Sequence, residues 1–156
     1  MMRRCLMLSA AALALWGAEP ARASSEIGGV WLTDDGEAAI EVAPCGGDLC
    51  GRIVWLKTPT EDGQPLRDDN NPNKGARDKP ICGLRILGGL KPKGGRYEGG
   101  WVYDPESGGR YRLSAELRPN GRLAIIGFLG LESLGETREW RRAPGGLGRC
   151  SASGSG

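Results

Sequence analysis

Tyr111-Arg112-Leu113-Ser114-Ala115-Glu116-Leu117 alternates apolar with polar side chains, and Pro119-Asn120-Gly121 separates it from Leu123-Ala124-Ile125-Ile126-Gly127-Phe128-Leu129. Alternation with period two is the mark of a strand, because successive side chains leave opposite faces of the backbone. Asn-Gly between two such runs is a strong hairpin signal. The second run is apolar on both faces, which suits a central strand.

The same grammar extends outward in both directions. Val30-Trp31-Leu32-Thr33 ends at Asp34-Asp35-Gly36, and residues 38–43 set Ile40 and Val42 against Glu41 before Pro44. Residues 49–56 put Ile53 and Trp55 on one face, with Arg52, Val54 and Leu56 on the other. Residues 84–87 stop at Gly88-Gly89, residues 97–103 stop at Asp104-Pro105, and residues 137–142 close the series around Trp140. No later segment has a helical period. The spacing predicts an all-β chain, a single antiparallel up-and-down β-barrel of about eight strands. A barrel of that size holds side chains or one small ligand.

The chain starts with an address. Arg3 and Arg4 precede an apolar run over 6–16 broken by Ser9, and Ala21-Arg22-Ala23 supplies a small-x-small cleavage site. This predicts a signal peptide over 1–23, a barrel over 24–142 and a flexible Gly/Ser-rich tail over 143–156. The apolar run is too short to span a bilayer, so no integral membrane protein is expected. Cys5 precedes the run, whereas a lipid-anchored cysteine would follow it. The expected compartment is periplasmic or secreted.

The formal charge of +2 comes from Arg3, Arg4, Arg22 and Glu19 within that segment, so the remainder is neutral. No basic block survives to bind nucleic acid. Cys45, Cys50, Cys82 and Cys150 remain, an even number in an exported chain, which favours disulfides. Gly46-Gly47-Asp48-Leu49 reads as a turn that brings Cys45 and Cys50 within bridging reach; the pairing of Cys82 and Cys150 is left open.

One connection, 57–80, has no apolar run and is dense in polar groups. Long loops of this kind are functional or disordered. Asp69-x-Asn71-x-Asn73 fits the start of an EF-hand loop. Lys74 then stands where glycine is needed and Pro80 where the bidentate glutamate is needed, so an Asx-rich turn is expected and no metal. The chain has no histidine, which removes Ser-His and Cys-His catalysis. Asp68, Asp69, Asp78 and Asp104 could form a carboxylate pair for hydrolysis, although charged loops are more often solvated surface.

Several ordered motifs carry a resemblance. They are Gly29-Val30-Trp31, Leu49-Cys50-Gly51-Arg52-Ile53-Val54-Trp55-Leu56, Asp69-x-Asn71-Pro72, and Lys79-Pro80-Ile81-Cys82-Gly83-Leu84-x-Ile86-Leu87-x-Gly89-Leu90. Gly100-Trp101-Val102-Tyr103-Asp104-Pro105 and Gly127-Phe128-x-Gly130 before Trp140 complete the set. Over about residues 28–142 the chain resembles the bacterial domain of unknown function 2147 family, in its paired-cysteine subgroup. The resemblance implies an exported lipocalin-like or fatty-acid-binding-protein-like barrel, and supplies no activity. Glu139 before Trp140 and the Gly-rich tail depart from the family pattern.

These readings favour a non-enzymatic protein without cofactor that binds a small apolar or amphipathic ligand. Candidate ligand contacts are Trp55, Trp101, Tyr103, Tyr111 and Trp140, with Trp55 and Trp101 expected to face the barrel cavity. Asp68, Asp69, Asn71, Pro72 and Asp104 form a candidate loop site. The alternatives are an envelope interaction protein or enzyme inhibitor acting through 57–80, and behind it the carboxylate hydrolase.

Overall fold

Eight strands close into one antiparallel barrel: β1 (Gly29–Leu32), β2 (Ala38–Cys45), β3 (Asp48–Leu56), β6 (Arg85–Lys93), β7 (Arg96–Asp104), β8 (Gly109–Leu117), β9 (Leu123–Phe128) and β10 (Glu136–Arg142). The computed structural model describes residues 26–150; the export segment expected at 1–23 lies outside the described residues. Neighbours in the barrel are neighbours in the chain, except where β1 meets β10 and where β3 meets β6 across the long connection. Within that connection, β4 (Thr60–Glu61) and β5 (Gln64–Pro65) make a separate hairpin. Among the described residues no helix is long and apolar enough to cross a membrane.

The interior is filled by large side chains. Trp31, Ile40, Leu87, Leu90, Leu113 and Leu123 are all buried in one cluster, with Trp140 packed among them. Each such side chain contributes about 1.5–3 kcal/mol by leaving water. Two glycines make room for two of the leucines. A Cβ on Gly51 would lie 2.6 Å from Leu87 Cγ, and one on Gly100 would lie 2.8 Å from Leu90 Cγ.

The hairpin at Gly46-Gly47 has positive φ at both residues, the turn whose twist matches two antiparallel strands. Cys45 pairs in register with Asp48, and Cys50 with Ala43, so the two cysteines flank the turn and form a disulfide with a Cα–Cα separation of 5.8 Å. Cys82 bonds Cys150, closing the second bridge.

Two expectations need correction. The strand expected to stop at Gly88-Gly89 runs on to Lys93. Gly88 lies against the Trp101 indole, where a Cβ would come within 3.0 Å, and Gly89 takes φ +70° at an irregularity in the β3–β6 register. Pro92 falls beyond the last β3 pair, Leu49–Leu90, so on that side its missing N–H faces no ladder partner. The glycines act as a bulge rather than as a terminator.

The faces of β3 also differ from strict alternation. Ile53 pairs with Ile40 and Trp55 with Ala39, so one extra residue, Val54, is inserted on β3. A bulge of one residue reverses the face of everything beyond it. Ile53 therefore joins the core, while Trp55 moves to the outer wall and Leu56 packs against the core. Trp101 is also outside: it stands between Gly88 and Arg112, out of phase with the inward Leu113. Neither tryptophan faces the barrel interior.

Residues 143–150 follow the outer wall. The Ala143 amide donates to the Val30 carbonyl, the Cys150 amide donates to the Val54 carbonyl, and Arg149 forms two hydrogen bonds to Glu41. The stretch forms a strap that ends at the Cys82 bridge.

Candidate functional site

The long connection is an ordered excursion, built by pairing its two limbs. The Asp68 amide donates to the Lys79 carbonyl, the Ile81 amide to the Leu66 carbonyl, and Arg67 bridges Pro80. Asx geometry shapes its tip as expected: the Asn73 amide donates to Asn71 Oδ1, and the Gly75 amide donates to Asn73 Oδ1, which caps the short 3-10 turn Lys74–Ala76. Arg77 Nε donates to the Asn71 carbonyl and holds the tip closed.

The excursion then docks on the barrel. Asn70 Nδ2 donates to the Glu106 carbonyl in the β7–β8 turn. Gly108 in that turn has φ +70°, and a Cβ there would sit 2.1 Å from the Asn70 carbonyl oxygen, so the backbones touch. Asp68 is fully buried at the junction. It accepts a 2.6 Å hydrogen bond from the Tyr103 hydroxyl and a 2.7 Å bond from Asn71 Nδ2. Burial, and then the bond to Asp68, push the Tyr103 pKa up to about 12. The hydroxyl stays protonated and remains the donor.

Docking leaves a groove of about 240 Å³ between the loop and the outer wall. Its apolar faces come from Trp101, Leu84, Pro72 and Ala76, and its polar lining includes Asp68, Asn71 and Tyr103. Three cations border it: Lys79, Arg85 and Arg110. The Arg110 guanidinium lies 4.1 Å above the Trp101 ring, a cation–π stack that fixes both side chains.

The structure therefore draws together five of the ten residues singled out from sequence: Trp101, Tyr103, Asp68, Asn71 and Pro72. Asp69 is exposed. Asp104 caps the β7–β8 turn, accepting from the Glu106 amide and the Ser107 hydroxyl. Tyr111 pairs in register with Val102, and Trp140 is buried in the core. Trp55 lies in a separate cleft of about 380 Å³ with Val30 and Val54, covered by the strap. The sequence reading missed Lys79, Arg85 and Arg110. The outward phase of Arg110 is legible from the β8 alternation, but its place over Trp101 depends on the β7–β8 register.

No curated protein matches this chain. Among solved structures, a protein described as HP1028 from the human pathogen Helicobacter pylori, and as belonging to the lipocalin family, superposes with a TM-score of 0.65 at 22% identity. The match covers 76% of this chain and 83% of that one, and it shows that the two share a fold. The sequence profile of uncharacterized proteins conserved in bacteria, domain of unknown function 2147, matches residues 29–142, which span the whole barrel from β1 to β10. The chain belongs to that bacterial family, with a lipocalin-like closed barrel as its framework.

Proposed function

We propose that the protein binds a small amphipathic ligand, and that the site is the groove between the 57–84 loop and the outer wall rather than the barrel interior. The observation that carries this reading is the groove itself: an apolar floor at Trp101 and Leu84 with polar and charged groups at its border. The interior supports it indirectly, because large side chains fill it. Export to the periplasm or beyond belongs to the same reading, supported by two disulfides and by the leader pattern over 1–23.

Saturable binding of a fluorescent amphiphile tests the proposal. Trp101→Ala should abolish it and Trp55→Ala should leave it intact. Binding that ignores Trp101, or follows Trp55, would move the site to the strap cleft and overturn the assignment.

A second reading, contact with a protein partner, is favoured by one feature. Leu129, Leu131 and Leu134 are large apolar side chains left exposed, and all three lie in the β9–β10 connection. That connection lies at the same end of the barrel as the groove loop.

A further inference from the structure

We infer that the groove ligand carries a phosphate group, held by Arg85, Arg110 and Lys79. The inference rests on the groove reading above and names the chemistry that would be recognised there. The argument is one of charge left over. Most arginines of the described chain are committed elsewhere. Arg52, Arg67 and Arg77 donate to the carbonyls of Gly83, Asp78 and Asn71. Arg96, Arg118, Arg138 and Arg149 are paired with carboxylates, and Arg142 donates to the carbonyls of Gly28 and Glu26.

Lys79, Arg85 and Arg110 have no acidic partner among the described residues, and all three border one groove. The acid that shares the lining, Asp68, has one oxygen taken by Tyr103 and the other by Asn71. A carboxylate ligand would need one of the three cations. A phosphate monoester carries close to two negative charges and three acceptor oxygens, which matches the excess better. Arg110 is already stacked over Trp101, so its N–H groups are presented with less further loss of freedom than those of an unsupported arginine. The Trp101–Leu84 floor takes the apolar part of the ligand beside those groups.

The test is calorimetric titration of the purified protein, below micelle formation, with decyl phosphate, decanoate, a neutral decyl glycoside and inorganic phosphate. Decyl phosphate should bind about tenfold or more tightly than the neutral glycoside, with affinity falling as salt rises. Lys79→Gln with Arg85→Gln should erase that preference, bringing decyl phosphate affinity down toward that of the glycoside. Arg110→Gln should lower decyl phosphate affinity as well, with an unchanged melting temperature showing that the stack is not what holds the fold.

Equal binding of glycoside and phosphate, or variants without effect, would overturn the phosphate assignment while the groove reading stands. Stronger binding of decanoate than of decyl phosphate would also overturn it. If no amphiphile binds, the groove reading fails and this inference with it. Inorganic phosphate bound as well as decyl phosphate would keep the anion site and discard the amphiphile.

Discussion

Tyr103 and Asp68, 35 positions apart in the chain, meet in a 2.6 Å hydrogen bond from a phenol to a fully buried carboxylate. It is a buried polar link between the barrel wall and the loop that makes the groove, beside the Asn70–Glu106 bond at the rim. A buried carboxylate is tolerable only while its lone pairs are satisfied. The loop's docking and the groove's shape therefore depend on a few specific donors.

Tyr103→Phe should remove one of those donors and cost about 1–3 kcal/mol, because Asp68 keeps its burial and loses a partner. The pH dependence is also distinctive. The folded pKa is raised from 10.0 to about 12, so the phenol contributes its stability in full below about 10. That contribution is lost as pH rises from about 10 to about 12. Thermal melts should show the native protein losing stability through this window more steeply than Tyr103→Phe, and a spectroscopic titration should show one late tyrosine that the variant lacks. Parallel curves would contradict the bond.

Gly108→Ala should undock the loop. It combines a positive φ with a backbone collision against the Asn70 carbonyl. Gly63→Ala is the control, since Gly63 has φ +75° and open space, leaving only left-handed strain of about 1–2 kcal/mol. Amide exchange reads the difference. The Asp68 and Ile81 amides, bonded to Lys79 and Leu66, should exchange faster in Gly108→Ala and stay protected in Gly63→Ala.

The two disulfides should differ in what they contribute. Cys82 and Cys150 are separated by 68 positions, Cys45 and Cys50 by 5. On the loop-entropy model the first is worth about 4 kcal/mol and the second about 2 kcal/mol. Denaturant melts of Cys82→Ser/Cys150→Ser and Cys45→Ser/Cys50→Ser should rank in that order, and the reverse ranking would mean that strap and loop separate with little effect on the barrel.

The tryptophans should fall into two classes. Trp31 is fully buried and donates its indole N–H to the Ile27 carbonyl at 2.9 Å, so Trp31→Ala should cost about 3–5 kcal/mol. Trp101→Ala should cost distinctly less, since that ring is only partly buried on the outer wall, whereas Trp31 is fully enclosed. Chemical unfolding of the two variants checks the ranking.

Much of the barrel was legible because alternation is local. The β8 run and the Asn-Gly turn needed no knowledge of the rest of the molecule, and the Gly46-Gly47 turn set the first disulfide. What escaped was non-local. Gly88-Gly89 looks like a break until the Trp101 ring that covers it is known. The bulge at Val54 that turns Trp55 outward leaves no mark in the sequence. Asp68, Asn71 and Pro72 stood out as polar loop chemistry, but their meeting with Trp101 rests on how the excursion lies against the β7–β8 turn. Lys79, Arg85 and Arg110 belong to three separate segments, and only the fold puts them side by side.

The strap gives the molecule an unusual response to pulling. Tension applied between residue 26 and Cys150 passes through the Cys82 bridge, so the covalent path bypasses β6 to β10 altogether. Those five strands can lose their neighbours but cannot be drawn out. The extensible part is 26–45 and 50–82, joined through the Cys45–Cys50 bridge, about 190 Å at full stretch at most, and its first barrel contacts to yield are those of β1, where the seam with β10 has only two register pairs, Trp31–Arg142 and Leu32–Arg141. Under load the barrel would open at its seam like a clasp, while the half that carries Trp101 and Arg110 stays tied to the anchor.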